Sequence, residues 1–213
     1  MEIEKISVQI VFDNFKNISD NQRIQFENLF EIYEDWNAKI NLISRKDFPN
    51  FYLKHVLHSL SILKFLNFTT DSKILDLGCG GGFPGIPLAI MLPNVQFHLV
   101  DSIGKKITVV QDVIQQLNLK NTRAENKRVE LLKTQYDFVV SRAVAESKQI
   151  IHWSEKLILK QNKNALPNGW LLLKGGNLID EMKEVPKHYE IFPIIDYLKN
   201  DFFEGKHLVY IEK

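Results

Sequence analysis

The chain has 213 residues, of which 45% are hydrophobic and 25% charged, with a formal net charge of +1 and one cysteine, Cys79. This length and apolar content fit one globular domain with an extension, and the near-neutral charge excludes a globally basic surface for nucleic acid. One cysteine excludes a disulfide framework, and the sequence shows neither signal-peptide features nor an apolar segment long enough to span a bilayer. We therefore expect a cytoplasmic protein without membrane contact.

The first part of the chain, residues 1–70, is predicted to be a helical extension packed on a main domain of residues 71–213. The residues from Ser19 to Gln22 have the pattern of a capping box, which predicts the start of a helix. Apolar side chains then recur at helical spacing and predict a core-facing side: Phe26, Leu29, Phe30, Tyr33 and Trp36. Beyond them, Asn37 and Asn41 need hydrogen-bond partners wherever they are buried. A second helix is predicted from about 51 to 66.

Glycines dominate the stretch that follows, from Lys73 to Pro87. A short apolar strand ends at Asp76, and a loop with Gly78, Gly80 and Gly82 leads into a helix. Glycines let a ligand approach the backbone without meeting a Cβ, and the first turn of a helix favours an anionic group. The stretch matches both the dinucleotide pattern G-x-G-x-x-G and the S-adenosylmethionine pattern D-x-G-x-G-x-G. Asp76 favours S-adenosylmethionine, because a carboxylate accepts from the ammonium of the methionyl group and repels a pyrophosphate.

Strands and helices alternate from residue 73 onward, which predicts an α/β fold. The predicted strands are 73–77, 95–100, 121–126, 136–140, 169–174, 190–195 and 207–211, and helices are predicted near 86–92, 105–117 and 151–158. The expected fold is Rossmann-like, with a mostly parallel seven-stranded sheet. Ligands bind beyond the carboxyl ends of such strands, where Asp76, Asp101, Arg142 and Lys174 fall.

Two of these strand-end residues have alternative interpretations. Asp101 is placed to accept from both hydroxyls of an adenosine ribose, or to cap the helix that follows it. Arg142 is placed to bind a carboxylate or phosphate or to stack on a base, or else to form a surface ion pair. His55 and His58 are one helical turn apart, but no carboxylate or cysteine completes a metal site, so we expect no metal.

Two absences narrow the possible reactions. Ser141, Arg142 and Ala143 stand where enzymes that methylate exocyclic base amines usually carry an Asn/Asp-Pro-Pro-aromatic motif. Methylation of pyrimidine C5 needs a cysteine nucleophile, and the only cysteine lies inside the glycine loop. The remaining acceptors already carry a usable lone pair.

The sequence closely resembles the glucose-inhibited division protein B family, the bacterial small-subunit ribosomal RNA guanine-N7 methyltransferases, from about Gln22 onward. The resemblance rests on eight motifs: Trp36-Asn-Ala-Lys-Ile-Asn-Leu, Lys54-His-x-Leu-x-Ser59, Gly78 to Pro87, Val100-Asp-Ser-x-Gly-Lys-Lys106, Arg128-Val-Glu130, Ser141-Arg-Ala143, Leu173-Lys-Gly175 and Lys206-His-Leu-Val. The Phe-Pro-Gly-Ile-Pro-Leu run that begins at Phe83 is more specific than the glycines.

This resemblance implies a class I S-adenosylmethionine methyltransferase with N-terminal helices. The residues it assigns to the cofactor are Gly78, Phe83, Val129, Glu130 and Arg142. The loop and strand-end residues described above add Asp76, Gly80 and Asp101 to this set. Spacing from Asp101 selects Arg128-Val-Glu130 for the family's Arg-Ala-Glu element over the similar Arg123-Ala-Glu125. The residues expected to contact the RNA are Lys54, His55, Pro84 and Lys174. Arg142 is the only candidate for a positioning role in catalysis.

The implied substrate is a guanine in the decoding-region loop of 16S ribosomal RNA, presented as free RNA or in the small ribosomal subunit. Guanine N7 has a lone pair and no proton to lose, so positioning suffices without a general base. Its edge is inaccessible in A-form RNA, so the target must be unstacked. We expect a monomer. A small-molecule methyltransferase, a non-enzymatic adenosine-ligand sensor and, last, a nicotinamide dehydrogenase are the alternatives.

Overall fold

A computed structural model of the chain describes residues 7–213. The helices are α1 (Gln9–Asn14), α2 (Asp20–Lys39), α3 (a π-helical part Tyr52–Leu57, an α-helical part His58–Leu60 and a 3-10 part Ser61–Lys64), α4 (Gly85–Met91), α5 (Gly104–Gln116), α6 (Ser147–Ser154) and α7 (Ile179–Lys183). The strands are β1 (Lys73–Leu77), β2 (Gln96–Asp101), β3 (Thr122–Asn126), β4 (Phe138–Arg142), β5 (Gly169–Gly175), β6 (Tyr189–Pro193) and β7 (Lys206–Glu212). Residues 1–6 of the predicted extension lie outside the described residues.

The seven strands form one sheet in the order β3-β2-β1-β4-β5-β7-β6. Neighbours from β3 to β5 are parallel, and β7 runs antiparallel to both β5 and β6. The predicted α/β fold with a mostly parallel seven-stranded sheet is therefore confirmed. Because β1, β2, β4 and β5 are parallel, their carboxyl ends meet at one edge, which is where such sheets bind ligands. The short helix α7 was not predicted, since five residues are too few to show a periodic pattern.

Side chains of β1 alternate between two hydrophobic cores. Ile74 belongs to the core that contains α2, α4 and α5, while Leu75 and Leu77 belong to the core on the side of α6 and α7. Alternation along the strand therefore directs Asp76 to the same side as Ile74. This register decides where the predicted functional carboxylate lies.

Helix α2 begins at the predicted capping box. The Ser19 side chain accepts from the Gln22 backbone N–H, and the Gln22 side chain accepts from the Ser19 backbone N–H. The Gln22 side-chain amide also donates to the carbonyls of Ile90 and Met91 at 2.9 and 3.0 Å, at the end of α4. The start of α2 is therefore tied to the helix that follows the glycine loop.

The far end of α2 is tied to α5 and to the connection that follows it. The Trp36 indole N–H donates to Asp112 Oδ2 at 2.7 Å. Asn37 Oδ1 accepts from the backbone N–H groups of Leu42 and Ile43 at 2.9 and 2.8 Å. The amide of Asn37 thus finds the partner that the sequence required. Across residues 7–213, no helix has both the length and the apolar character needed to cross a membrane.

Strands β5 and β7 approach so closely at Gly169 that a side chain has no room. A Cβ built there would lie 2.0 Å from the backbone oxygen of Ile211. We expect Gly169→Ala to lower the free energy of unfolding by more than about 2 kcal/mol, since backbone atoms must separate to admit the methyl group. Urea denaturation measures this loss.

Gly104→Ala is the matched control. A Cβ at Gly104 would lie 3.4 Å from Asn126 Oδ1, which is ordinary contact, and alanine suits the first turn of α5. We expect its unfolding free energy to stay within about 0.5 kcal/mol of the wild-type value or to rise. Equal losses for the two variants would contradict the close approach of β5 and β7.

Candidate active site

A cavity of about 910 Å³ lies at the carboxyl edge of the sheet. Its walls come from the glycine loop, the ends of β2, β4 and β5, the segment 127–130 and the start of β7. Nine of the residues predicted to bind a ligand line it: His55, Gly78, Gly80, Phe83, Asp101, Val129, Glu130, Arg142 and Lys174. Three others do not, namely Lys54, Asp76 and Pro84.

The glycine loop takes a backbone shape that other residues rarely adopt. Gly78 and Gly80 have φ values of +68° and +55°. A Cβ on Gly78 would lie 2.6 Å from Val144 Cγ2 across the cavity wall. The Gly78 N–H donates to the Val100 carbonyl at 2.8 Å, so the loop is joined to the end of β2. Glycine at position 78 therefore keeps both the turn and the cavity open.

The carboxylate of Asp101 holds the loop from the neighbouring strand. Oδ2 accepts from the Gly80 N–H at 2.9 Å, and Oδ1 accepts from the Ile103 N–H at 2.8 Å, just before α5. Each carboxylate oxygen has a further lone pair, so the group can still accept from ligand hydroxyls. The two predicted interpretations of Asp101, ribose acceptor and partner of the following helix, are thus geometrically compatible.

Asp76 does not line the cavity, contrary to the sequence-based expectation. Its side chain is fully buried, Oδ2 accepts from the Gly85 N–H at 2.7 Å, and Oδ1 has no hydrogen-bond partner. Burial raises the pKa of this carboxyl to about 7, opposed by the Gly85 hydrogen bond and the charge of Arg142. Because the alternation of β1 directs Asp76 behind the loop, its carboxyl holds the start of α4 through Gly85. Its contact with a ligand's ammonium stays a prediction.

Arg142 places a half-buried cation on the cavity wall. Its guanidinium donates to the Lys54 carbonyl at 3.1 Å, lies 3.0 Å from His55 Nδ1 and sits 5.2 Å from the centre of the Phe83 ring. Burial lowers its pKa to about 10, with Asp76 and then Tyr33 opposing the shift. None of the described residues forms an ion pair with it, so the predicted alternative of a surface ion pair does not hold. A half-buried guanidinium without a carboxylate partner is suited to bind an anion.

His55 is fixed by the same contact. A guanidinium only donates, so Nδ1 of His55 accepts and the ring proton is on Nε2. Burial and then the charge of Arg142 lower the pKa of His55 to about 3, so the ring is neutral. Its only basic nitrogen is already occupied.

The other residues predicted to contact RNA have partners or packing positions within the protein. Lys54 forms an ion pair with Asp47 at 2.5 Å, and Lys174 pairs with Glu181 at 2.7 Å while its side chain is only 9% exposed. Pro84 is buried just before α4. Each of these three thus has a partner or a packing position within the protein, and Lys174 also lines the cavity. Their contact with RNA stays a prediction.

The segment after β3 that was chosen by spacing lies at the cavity. Arg128, Val129 and Glu130 line the cavity, whereas Arg123 and Glu125 lie within β3, away from it. Val129–Leu131 forms a short 3-10 turn that brings these side chains to the wall.

Sequence reasoning missed several contributors to the site. Tyr33, predicted as core, is fully buried, but its hydroxyl donates to the Gly81 carbonyl at 2.6 Å. A hydroxyl inside an apolar helical stripe was the available signal. The unpredicted wall residues include Leu42, Ile43, His58, Val144, Trp153, Glu204 and Lys206. Within residues 7–213, no group of three or more His, Cys, Asp or Glu side chains is arranged to hold a metal.

This sheet order, with a glycine loop after β1 and a carboxylate at the end of β2, defines a class I S-adenosylmethionine methyltransferase fold. A crystal structure of an S-adenosylmethionine-dependent methyltransferase from Aquifex aeolicus has the same fold, with a TM-score of 0.58 and 12% identity over 83% of this chain and 98% of that chain. The model of the family described as rRNA small subunit methyltransferase G matches residues 22–209.

Full-length relatives agree with this match. The ribosomal RNA small subunit methyltransferase G of Christiangramia forsetii is 50% identical over 97% of this chain and 97% of its own length. That of Phocaeicola vulgatus is 48% identical over 96% of this chain and 98% of its own length. The chain belongs to the rRNA small subunit methyltransferase G family. The predicted resemblance, the methyltransferase class and S-adenosylmethionine as cofactor are thereby confirmed.

Tyr33 connects α2 to the glycine loop, and Tyr33→Phe tests that connection. Removing one hydrogen bond of about 1 kcal/mol frees the Gly81 carbonyl, so we expect the Kd for S-adenosylmethionine to rise roughly fivefold. The free energy of unfolding should fall by about 1 kcal/mol. Calorimetric titration and urea denaturation measure the two effects.

Tyr52→Phe controls for the loss of stability. The Tyr52 hydroxyl donates to the Phe26 carbonyl at 2.8 Å, a bond of the same kind that does not touch the loop. We expect a similar loss of stability with an unchanged Kd. A Tyr33→Phe protein that binds the cofactor as tightly as wild type would show that the hydroxyl does not shape the loop.

Proposed function

We propose that this protein transfers the methyl group of S-adenosylmethionine to N7 of a guanine in the decoding-region loop of 16S ribosomal RNA. The proposal rests on its family, whose curated relatives are named ribosomal RNA small subunit methyltransferase G, and on one feature of the cavity. The histidine and cysteine side chains on the cavity wall are unsuited to take up a proton or to attack a base. An acceptor that already carries a lone pair suits such a wall.

The side chains concerned are His55, His58 and Cys79. Burial lowers the pKa of His58 to about 3, so this ring too is neutral. Nδ1 of His55 lies 3.0 Å from the Arg142 guanidinium, and the pKa of the ring is about 3. Burial holds the pKa of the Cys79 thiol well above its ordinary value, so it remains protonated. Guanine N7 needs neither a base nor a nucleophile, and the residues of the wall need only hold the two reactants in line.

The cofactor residues predicted from the sequence suit S-adenosylmethionine, which supplies an electrophilic methyl group on a sulfonium. Gly78 leaves out a Cβ that would lie 2.6 Å from Val144 Cγ2 at the cavity wall, and Arg142 lacks a counter-ion that a methionyl carboxylate would provide. Asp101 is expected to accept from the ribose hydroxyls, with Gly80, Phe83, Val129 and Glu130 completing the wall. Asp76 acts from behind the loop as a positioning residue for Gly85.

The substrate, the place of action and the two parts of the chain belong to the same proposal. The substrate is 16S ribosomal RNA, free or assembled in the small subunit, and the target guanine is unstacked so that its N7 edge is accessible. We expect the protein to work in the cytoplasm as a monomer. Residues 1–70 serve as the helical extension and 71–213 as the methyltransferase domain.

Mass mapping of nucleosides in small-subunit RNA from cells with and without the gene tests the proposal. We expect one 7-methylguanosine to be lost from the decoding-region loop when the gene is absent. Purified protein with labelled S-adenosylmethionine should restore it on small subunits or their RNA from the deleted strain. Unchanged RNA in both experiments would overturn the proposal and favour a small-molecule acceptor.

A further inference from the structure

The cavity extends beyond the part that the cofactor residues occupy. Lys206, at the start of β7, lines its far end and is paired in register with Gly175 of β5. The order β1-β4-β5-β7 puts three strand spacings, or about 14 Å, between β1 and β7. The far end is therefore well separated from the glycine loop, and it has no role in the function described so far.

Lys206 is a cation without a counter-ion. No described carboxylate lies within ion-pair distance of its ammonium group, including Glu204, which lies two residues earlier and also lines the cavity. The ammonium sits 4.1 Å from the centre of the Phe202 ring, which holds it at the wall. Partial burial and then the charge of Lys54 lower its pKa. Two ammonium groups that repel each other are stabilised by an anion bound nearby.

His58 provides an independent observation at the same end of the cavity. Its side chain is buried, its ring lies edge-on to Phe202 and Phe203 at 5.8 and 5.9 Å, and Nε2 has no hydrogen-bond partner. Burial, then Arg142, then Lys206 lower the pKa of His58 to about 3. A buried, unpartnered nitrogen that lines a cavity indicates a missing polar partner.

A sugar-phosphate backbone supplies both missing partners. A phosphate oxygen pairs with the ammonium of Lys206, and a ribose hydroxyl donates to Nε2 of His58, whose other ring nitrogen bonds the backbone of Lys54. The cofactor's carboxylate is a less suitable anion for Lys206, because Arg142 lies between the glycine loop and β7 and has no counter-ion of its own.

We propose that Lys206, with His58 beside it, forms a subsite for the sugar-phosphate of the target RNA strand and so fixes the nucleotide next to the cofactor. This inference rests on the proposed function, because it names the contacts that the RNA substrate makes in the same cavity. Lys206 acts in substrate binding, and its loss should affect RNA affinity more than the chemical step.

Lys206→Gln tests the phosphate contact in two assays with unmodified small-subunit RNA. We expect the KM for RNA to rise about tenfold, with kcat and the Kd for S-adenosylmethionine within twofold of wild type. The slope of log Kd for RNA against log salt should fall by about 0.7, the value for one contact to single-stranded phosphate. Lys206→Arg should restore most of the affinity and the slope.

Two further variants separate the contacts. Lys183→Gln removes an exposed lysine of α7 that pairs with Asp180, and we expect it to change neither KM nor slope. His58→Leu should raise the KM for RNA about threefold with an unchanged salt slope, since a neutral ring releases no counterion. Thermal unfolding of each variant checks that its fold is retained.

The outcomes distinguish this inference from the function on which it rests. Failure of the wild-type protein to methylate any small-subunit RNA would overturn the proposed function. A wild type that methylates the RNA, beside a Lys206→Gln variant with unchanged KM and slope, would overturn only the subsite. A rise in the Kd for S-adenosylmethionine with unchanged RNA binding would assign Lys206 to the cofactor's carboxylate and also overturn it.

Discussion

The site depends on carboxylates that hold the glycine loop by its backbone N–H groups. Asp101 accepts from Gly80, and Asp76 accepts from Gly85, so the ends of two parallel strands fix both ends of one loop. The loop's positive φ angles give up hydrogen bonds that a helix or strand would supply, and these carboxylates replace them. The loop is therefore shaped by the fold before any ligand arrives, and the catalytic advantage expected of the enzyme is positioning.

The N-terminal helices also hold the glycine loop and the cavity wall in place. Helix α2 fixes the loop through Tyr33, and Asn37 orders the connection that carries Leu42 and Ile43 to the cavity wall. Helix α3 carries His55, which together with the Lys54 carbonyl accepts from two of the five N–H donors of Arg142. A half-buried guanidinium oriented by neutral groups keeps its charge and its other donors available to a ligand, whereas a carboxylate partner would have neutralised it.

Periodicity and glycine chemistry predicted the fold and the loop because both are local properties of the chain. The strands of the sheet and the capping box at Ser19 followed from spacing alone. The choice of Val129 and Glu130 also needed the resemblance to a known family, and spacing from Asp101 only decided between two similar elements. Lys54 and Lys174 could not be resolved in this way, since their partners, Asp47 and Glu181, are brought to them by tertiary folding. A lysine's sequence position does not reveal whether its charge is free, and a tyrosine in an apolar stripe does not reveal where its hydroxyl points.

Amide hydrogen exchange shows whether the loop is formed before a ligand binds. The measurement follows the N–H groups of Gly80 and Gly85 in the ligand-free protein by NMR. We expect both amides to be strongly protected, because each donates to a buried carboxylate, Asp101 or Asp76. Exchange at the rate of an unfolded peptide, with protection appearing only after S-adenosylmethionine is added, would show that the ligand shapes the loop. It would contradict a loop formed by the protein alone.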